Sequence, residues 1–431
     1  MQENNKFSNL LDNIKIYLFV GVMVVGFIIG LLFFARPKTS ENEKRELTKF
    51  PRFTISSFLS GEFTNQVSLW YSDTYPLRES MISASNSLEN LYGVRGEQII
   101  GGGEGDEIPT DVVDSPDEPE KEVVFNPTDD GKGEGFEGMY LNGSTAYQLY
   151  FFNQQNSDSY AALINKFAAE IGNDAKVYDM IVPLHYQIAL SEATRKKYGA
   201  SDCAEAIEYM YSRLSDDVTT IDTLPELISH NSEYLYFRTD HHWTARGAYY
   251  AYVAFCKSKG ITPTPLESYE RVQFDGFLGT FFEQAKSPAA MKADPDYVEA
   301  FIPKGTNVET VYNADGSSAG EYAVVYKGAD KYSAGNKYLT FIAGDQPLIK
   351  IENPAITDGS SIVVIKESYG NAFIPYLVDS YETVYVIDYR KWDGHLADFV
   401  TENSIDEVLF LNVVNTTSTS ARLRELQSII E

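Results

Sequence analysis

Residues 360–377 read SSIVVIKESYGNAFIPYL. The apolar run at 362–365 is short and rich in β-branched residues, the pattern of a parallel strand buried on both faces, and a helix is expected from Asn371 onward. Ser368 then falls on the strand-to-helix turn. A turn of that kind presents a hydroxyl at the C-terminal edge of a sheet and aims the following amides at a developing oxyanion. Gly370 permits close approach of a substrate, and Asn371 offers a further donor. The plainer role for the same serine is a helix N-cap. Outward from this stretch, β-rich runs recur at VYDMIVP (177–183), VTTID (218–222), TVYVIDY (383–389) and EVLFLNV (407–413). They alternate with helical patterns near 158–171, 203–214, 244–257, 372–378 and 420–430. The alternation predicts an α/β domain over residues 138–431, a parallel sheet with flanking helices. From about 269 to 351 the pattern changes: runs such as EYAVVYKG (321–328) and KYLTFIAGD (337–345) predict a β-rich insertion or an antiparallel extension of the sheet.

A serine nucleophile needs a base, and the chain has five histidines, His185, His230, His241, His242 and His395. Two are adjacent in YFRTDHHWTARG, where a strand-like LYFR (235–238) runs into Asp240-His241-His242-Trp243 before a helix that Thr244 is placed to cap. In an extended turn Asp240 and His242 project to the same side, so the carboxylate can accept an imidazole N–H and fix its tautomer. The alternative is a structural role, with Asp240 capping the helix and a histidine filling a polar gap. The Asp-His-His run also suits a metal, but no second His or Cys cluster accompanies it, and neither a metal nor a cofactor is expected. Serine, base and orienting acid at strand ends together make Ser368, His242 and Asp240 the candidate triad.

The composition bounds the partners. A formal net charge of -27, with 62 acidic and 35 basic residues, opposes nucleic-acid binding. The two cysteines, Cys203 and Cys256, allow one disulfide at most. The uncharged run 16–35, IYLFVGVMVVGFIIGLLFFA, is long enough to cross a bilayer as one helix, at about 1.5 Å per residue against a core of about 30 Å. Residues 1–36 are therefore expected to be a cytoplasmic tail and uncleaved transmembrane anchor. Residues 37–100 follow as a juxtamembrane helical region with apolar positions at Phe58, Phe63, Val67, Trp70 and Tyr71. Residues 101–137 carry thirteen acids, two lysines and four prolines, and are expected to be a flexible linker.

The T-D-H-H-W-T motif at 239–244 resembles the name-giving motif of the DHHW family. ENEKRELTKFP (41–51), DTYPLRES (73–80), FDGFLGTFF (274–282), IKESYGNAFIPYL (365–377) and VIDYR (386–390) resemble its other blocks, so the likeness covers nearly the whole chain except the acidic linker. Such proteins look like distant relatives of SGNH-hydrolase-like alginate O-acetyltransferases. By that resemblance Asp240, His242 and Ser368 take the roles of acid, base and nucleophile, with His241, Trp243, Gly370, Asn371 and Arg390 around the oxyanion and substrate. It also implies an extracellular, membrane-anchored domain acting on a cell-surface polysaccharide, with a multispanning membrane acyltransferase as acetyl supplier. Two other readings share these residues: a carbohydrate esterase, and a non-catalytic polysaccharide-binding or assembly protein. The chain departs from the family in carrying Glu367 where Asp is usual before the serine; it also lacks the early G-D-S block of ordinary SGNH hydrolases, as expected for relatives with a rearranged motif order.

Overall fold

The computed structural model describes residues 36–40, 45, 46, 48–54, 58, 62–76, 105–109, 134–136 and 138–431. The chain divides into two compact units, Met1–Gly96 and Glu97–Glu431. In the first, a two-stranded ribbon pairs Thr39–Ser40 with Arg45–Glu46, and a helix runs over Glu62–Asp73. The expected membrane span at 16–35 lies outside the described residues, among which no helix is long and apolar enough to cross a membrane.

The second unit is a mixed α/β domain. Its main elements in chain order are α1 (Gln154–Ile171), β1 (Lys176–Val182), α2 (Cys203–Tyr211), β2 (Val218–Thr220), α3 (Ala245–Ser258), β3 (Glu309–Tyr312), β4 (Ser318–Tyr322), β5 (Leu348–Glu352), β6 (Ser361–Lys366), β7 (Thr383–Asp388), β8 (Glu407–Val413) and α4 (Ser420–Ile430). The strands form one eight-stranded sheet in the order β4-β3-β5-β7-β6-β8-β1-β2. From β7 to β2 all neighbours are parallel, while β5, β3 and β4 add antiparallel to the β7 edge. Every residue of β6 and β8 is buried, which is why these strands read as continuous apolar runs.

Successive side chains of a strand point to opposite faces, and this fixes the layers. Asp179 of β1 and Phe410 of β8 pair in register and both face α1: Tyr160 donates to Asp179 at 2.5 Å, and the Phe167 and Phe410 rings lie 5.3 Å apart. The preceding residue, Tyr178, instead meets Phe255 of α3 at 5.6 Å. Helices α1 and α3 therefore cover opposite faces. Strand β6 leads into residues 368–377, whose Tyr376 packs on Tyr249 and Tyr252 of α3. Its neighbour β7 leads into the helix Leu396–Glu402, and β8 into α4, both of which pack with α1. Connections that leave adjacent strands toward opposite faces open a crevice at their C-terminal ends, and Ser368 stands there.

Five features read from the sequence take definite form in the structure. The segment 269–351 is both insertion and extension: Glu270–Phe277 and Asp296–Ile302 form a separate antiparallel ribbon, while β3, β4 and β5 widen the main sheet. KYLTFIAGD is no strand but a 3-10 helix over Ala334–Thr340 followed by left-handed Ile342 and Ala343, which strand pairing does not tolerate. LYFR makes only an isolated bridge between Tyr236 and Trp243. The acidic linker is in part structured: the Asp106 amide donates to Phe152 and Asp106 caps the Gln154 amide, while Glu134–Phe136 pairs with Met139–Asn142. Cys203 and Cys256 are buried, unbridged thiols.

Candidate active site

Chain order separates His242 from Ser368 by 126 residues, and three hydrogen bonds between neighbouring residues bring them together. The Trp243 indole donates to the Tyr369 carbonyl at 2.8 Å, the Tyr369 hydroxyl donates to the His241 carbonyl, and the Tyr376 hydroxyl donates to the Ala245 carbonyl at 2.7 Å. Tyr236 ties the same loop to the C-terminal end of β1 by donating to Pro183 at 2.6 Å. From its other side the ribbon grips the loop, since Asp296 accepts from the amides of Arg238 and Thr239 and from the Thr239 hydroxyl. Thr244 caps α3 by accepting from the Gly247 amide.

Within this frame the Ser368 hydroxyl lies 2.8 Å from His242 Nε2, and His242 Nδ1 lies 2.6 Å from Asp240 Oδ1. Asp240 Oδ1 also accepts the His242 amide, and Oδ2 accepts the amide and hydroxyl of Thr280 at 2.8 and 3.1 Å. Burial opposes ionisation of Asp240, but the two imidazoles and these donors outweigh it and hold the carboxyl far below its ordinary range. An ionised Asp240 fixes the proton on Nδ1 and leaves Nε2 as the acceptor facing the serine. The approach of Thr280 requires Gly279: a Cβ there would sit 2.2 Å from Asp240.

Ser368 is held as firmly. Glu367, 5% exposed, accepts the Tyr369 amide at 3.0 Å through Oε2 and the Val413 amide at 3.1 Å through Oε1, and its Oε2 lies 3.3 Å from Ser368 Oγ. The turn after β6 is a 3-10 helix, Ser368–Ala372, and a separate short helix covers Ile374–Leu377. Tyr338 stacks on the His242 ring at 4.2 Å and donates to the Ser368 carbonyl at 3.1 Å. Below the turn, the buried Lys366 ammonium donates to Asn371 Oδ1 at 2.6 Å and reaches Asp345 at 3.2 Å and Asp388 at 3.6 Å.

The residues assigned to oxyanion and substrate divide. His241 is partly exposed, with Nδ1 2.7 Å from Thr280 Oγ1. Because the Thr280 hydroxyl donates its proton to Asp240, Nδ1 of His241 is the donor in that contact. The other four are engaged by protein groups. Trp243 is fully buried. Gly370 packs on Lys366, where a Cβ would meet the lysine stem at 2.7 Å, and its amide donates back to Glu367. Asn371 is engaged by Lys366 and donates to Asp345 at 3.0 Å. Arg390 pairs with Asp388 at 2.6 Å and Asp345 at 2.8 Å. Their contacts tie them to the turn and its surroundings. The groups that sequence reasoning missed, Thr280, Tyr338 and Asp296, come from the 269–351 segment; the FDGFLGTFF block was the one signal pointing to it.

Asp240, His241 and His242 each offer a ligand atom within 4.8 Å of one another. An ion taking all three would have to displace the His242–Asp240 hydrogen bond or the contact to Ser368, so the geometry favours the triad over a metal centre.

The family model described as DHHW protein matches residues 43–129 and 115–387. Among solved structures, a DHHW family protein from Eubacterium siraeum is 29% identical with a TM-score of 0.62, covering 69% of this chain and 97% of its own. Bacillus cereus PatB1 with a sulfonyl adduct is 18% identical with a TM-score of 0.54, covering 66% and 97%. PatB1 without the adduct is 19% identical with a TM-score of 0.53, covering 66% and 98%. At these identities PatB1 shares the fold. No curated protein matches the chain.

Proposed function

The chain belongs to the DHHW family, and on that premise we propose that it is a membrane-anchored enzyme that transfers acyl groups through Ser368, O-acetylating a polysaccharide outside the cell. The single observation that supports this reading is the 2.8 Å approach of Ser368 Oγ to an imidazole whose other nitrogen is held by an ionised, buried carboxylate. The anchor is supported by the apolar run 16–35, and the extracellular side by the family resemblance alone. A multispanning membrane acyltransferase is the proposed acetyl supplier.

In the proposed reaction Ser368 Oγ attacks the carbonyl carbon of an acetyl ester or thioester while His242 Nε2 takes the hydroxyl proton. Collapse of the tetrahedral intermediate expels the donor's alcohol or thiol, which receives that proton from His242, and leaves acetyl-Ser368. A sugar hydroxyl then yields its proton to His242 as its oxygen attacks the acetyl carbon. The second collapse breaks the bond to Ser368 Oγ and returns the proton to it. Asp240 stays ionised throughout and stabilises the transient imidazolium.

The test is a sulfonyl fluoride probe on the purified protein, with the modified residue mapped by mass spectrometry, alongside polysaccharide acetylation in cells. Modification at Ser368 together with loss of acetylation in a stably expressed Ser368→Ala strain is expected. Undiminished acetylation by that strain would overturn the covalent mechanism.

A further inference from the structure

The first unit carries a surface that the catalytic reading leaves unused. Phe50, Phe53 and Phe58 are 57%, 62% and 52% exposed, although large aromatic side chains are ordinarily covered. They form one connected group with the helix Glu62–Asp73: Phe50 meets Trp70 at 4.8 Å and Phe63 at 6.4 Å, while Phe53 meets Phe63 at 5.2 Å and Phe58 at 5.9 Å. The exposed Lys49 and Arg52 flank Phe50 and Phe53 in K-F-P-R-F.

The position of this group follows from Arg36, the residue directly after the apolar run 16–35. Its guanidinium donates to the Tyr71 carbonyl at 3.2 Å and the Thr74 hydroxyl at 2.9 Å, and lies 4.2 Å from the Trp70 ring centroid. Trp70 is thus held within about one side chain's length of the point where the apolar run ends. The local charge points the same way. Residues 36–52 contain six basic and three acidic residues, in a chain whose net charge is -27. Aromatic rings beside cations next to the end of an apolar span suit the boundary between headgroups and acyl chains. The acidic remainder of the chain is repelled from an anionic surface.

We propose that Phe50, Phe53 and Phe58, with Lys49 and Arg52, form a collar that docks on the anionic phospholipid headgroups of the membrane in which the chain is anchored. The collar rests on the anchored placement proposed above. It turns a single span, free to swivel, into a seat that restricts the orientation of the first unit at the bilayer.

The test uses the full chain reconstituted in vesicles of phosphatidylcholine with or without phosphatidylglycerol, carrying an environment-sensitive dye on Phe53→Cys. A second preparation carries the dye on Asp398→Cys, an exposed site in the other unit. Shallow spin-labelled lipids should quench the dye at 53 and not the dye at 398, more strongly with phosphatidylglycerol. Lys49→Gln and Arg52→Gln should each lower the docked population roughly fivefold in anionic vesicles. A dye at 53 that stays unquenched in protein that floats with the vesicles overturns the collar and leaves the anchor standing. Protein that does not float overturns both. Quenching only between labelled copies overturns docking in favour of self-association.

Discussion

The Trp243 indole N–H donates to the Tyr369 carbonyl at 2.8 Å, and each of these residues directly follows a member of the pair it aligns, His242 and Ser368. The bond therefore sets His242 against Ser368 without touching either side chain. Trp243→Phe keeps an aromatic ring in the core but leaves a buried carbonyl unpaired, which costs about 1–3 kcal/mol. Thermal unfolding should register that loss. Acetyl-ester turnover should fall with kcat affected more than KM, because the displaced bond positions reacting groups; unchanged kcat would show that alignment does not depend on it.

Ser368→Ala and His242→Ala should each lower kcat by about 10⁴-fold or more, and the double variant should be little worse, since nucleophile and base act as one unit. Asp240→Asn should lose activity on the same order, about 10⁴-fold, because an amide can donate to Nδ1 and stabilise the wrong tautomer. His241→Ala should be milder. Single-turnover kinetics on a chromogenic acetyl ester separate these variants; additive losses in the double variant would argue against a coupled pair.

Gly279→Ala tests the ribbon's share in the site. The added methyl group would fall 2.2 Å from Asp240 and push the carboxylate, and with it His242, away from Ser368. A displacement of about 1 Å in a reacting group can lower turnover about 10²-fold. Activity should therefore fall much more steeply than secondary structure measured by circular dichroism, and wild-type turnover by this variant would contradict the close approach.

Glu309 predicts a pH dependence of stability. It is 1% exposed, both carboxylate oxygens lack hydrogen-bond partners among the described residues, and burial pushes its pKa up to about 8, partly opposed by Lys366. Between the ordinary carboxyl range and pH 8 the folded state keeps a proton that the unfolded chain has released. The contribution of this group to stability is then full below about pH 4 and declines as pH rises toward 8, by roughly 5 kcal/mol. Glu309→Gln should remove that slope and melt higher than wild type at pH 8 than at pH 5. Parallel melting profiles for the two proteins would show that Glu309 is not protonated in the fold.

The strands at 177–183 and 407–413 could be read to within a residue or so, because a strand buried on both faces is predominantly apolar whatever its partners, and the half-buried strand at 383–389 through its β-branched and aromatic residues. The same logic fails for LYFR and KYLTFIAGD. Both are apolar enough to pair, yet Tyr236 and Phe237 are engaged by groups from elsewhere in the chain, and Ile342 and Ala343 turn left-handed. Periodicity reports which side chains leave water; it does not report which remote groups take their hydrogen bonds.

Local sequence by itself determined that Asp240 and His242 stand two residues apart in a turn and that Ser368 follows a buried strand, so a candidate triad was legible in the residue types. Only the tertiary structure decided that these groups meet, that Thr280 adds two donors to the imidazoles around Asp240, and that Trp243, Gly370, Asn371 and Arg390 are engaged by groups around the turn. The physical reason is that a side chain's role is set by what reaches it across the fold. The hydrogen bonds from Thr280 to Asp240, between His242 and Ser368, and from Tyr376 to Ala245 span 40, 126 and 131 residues of chain, and no window of sequence contains them.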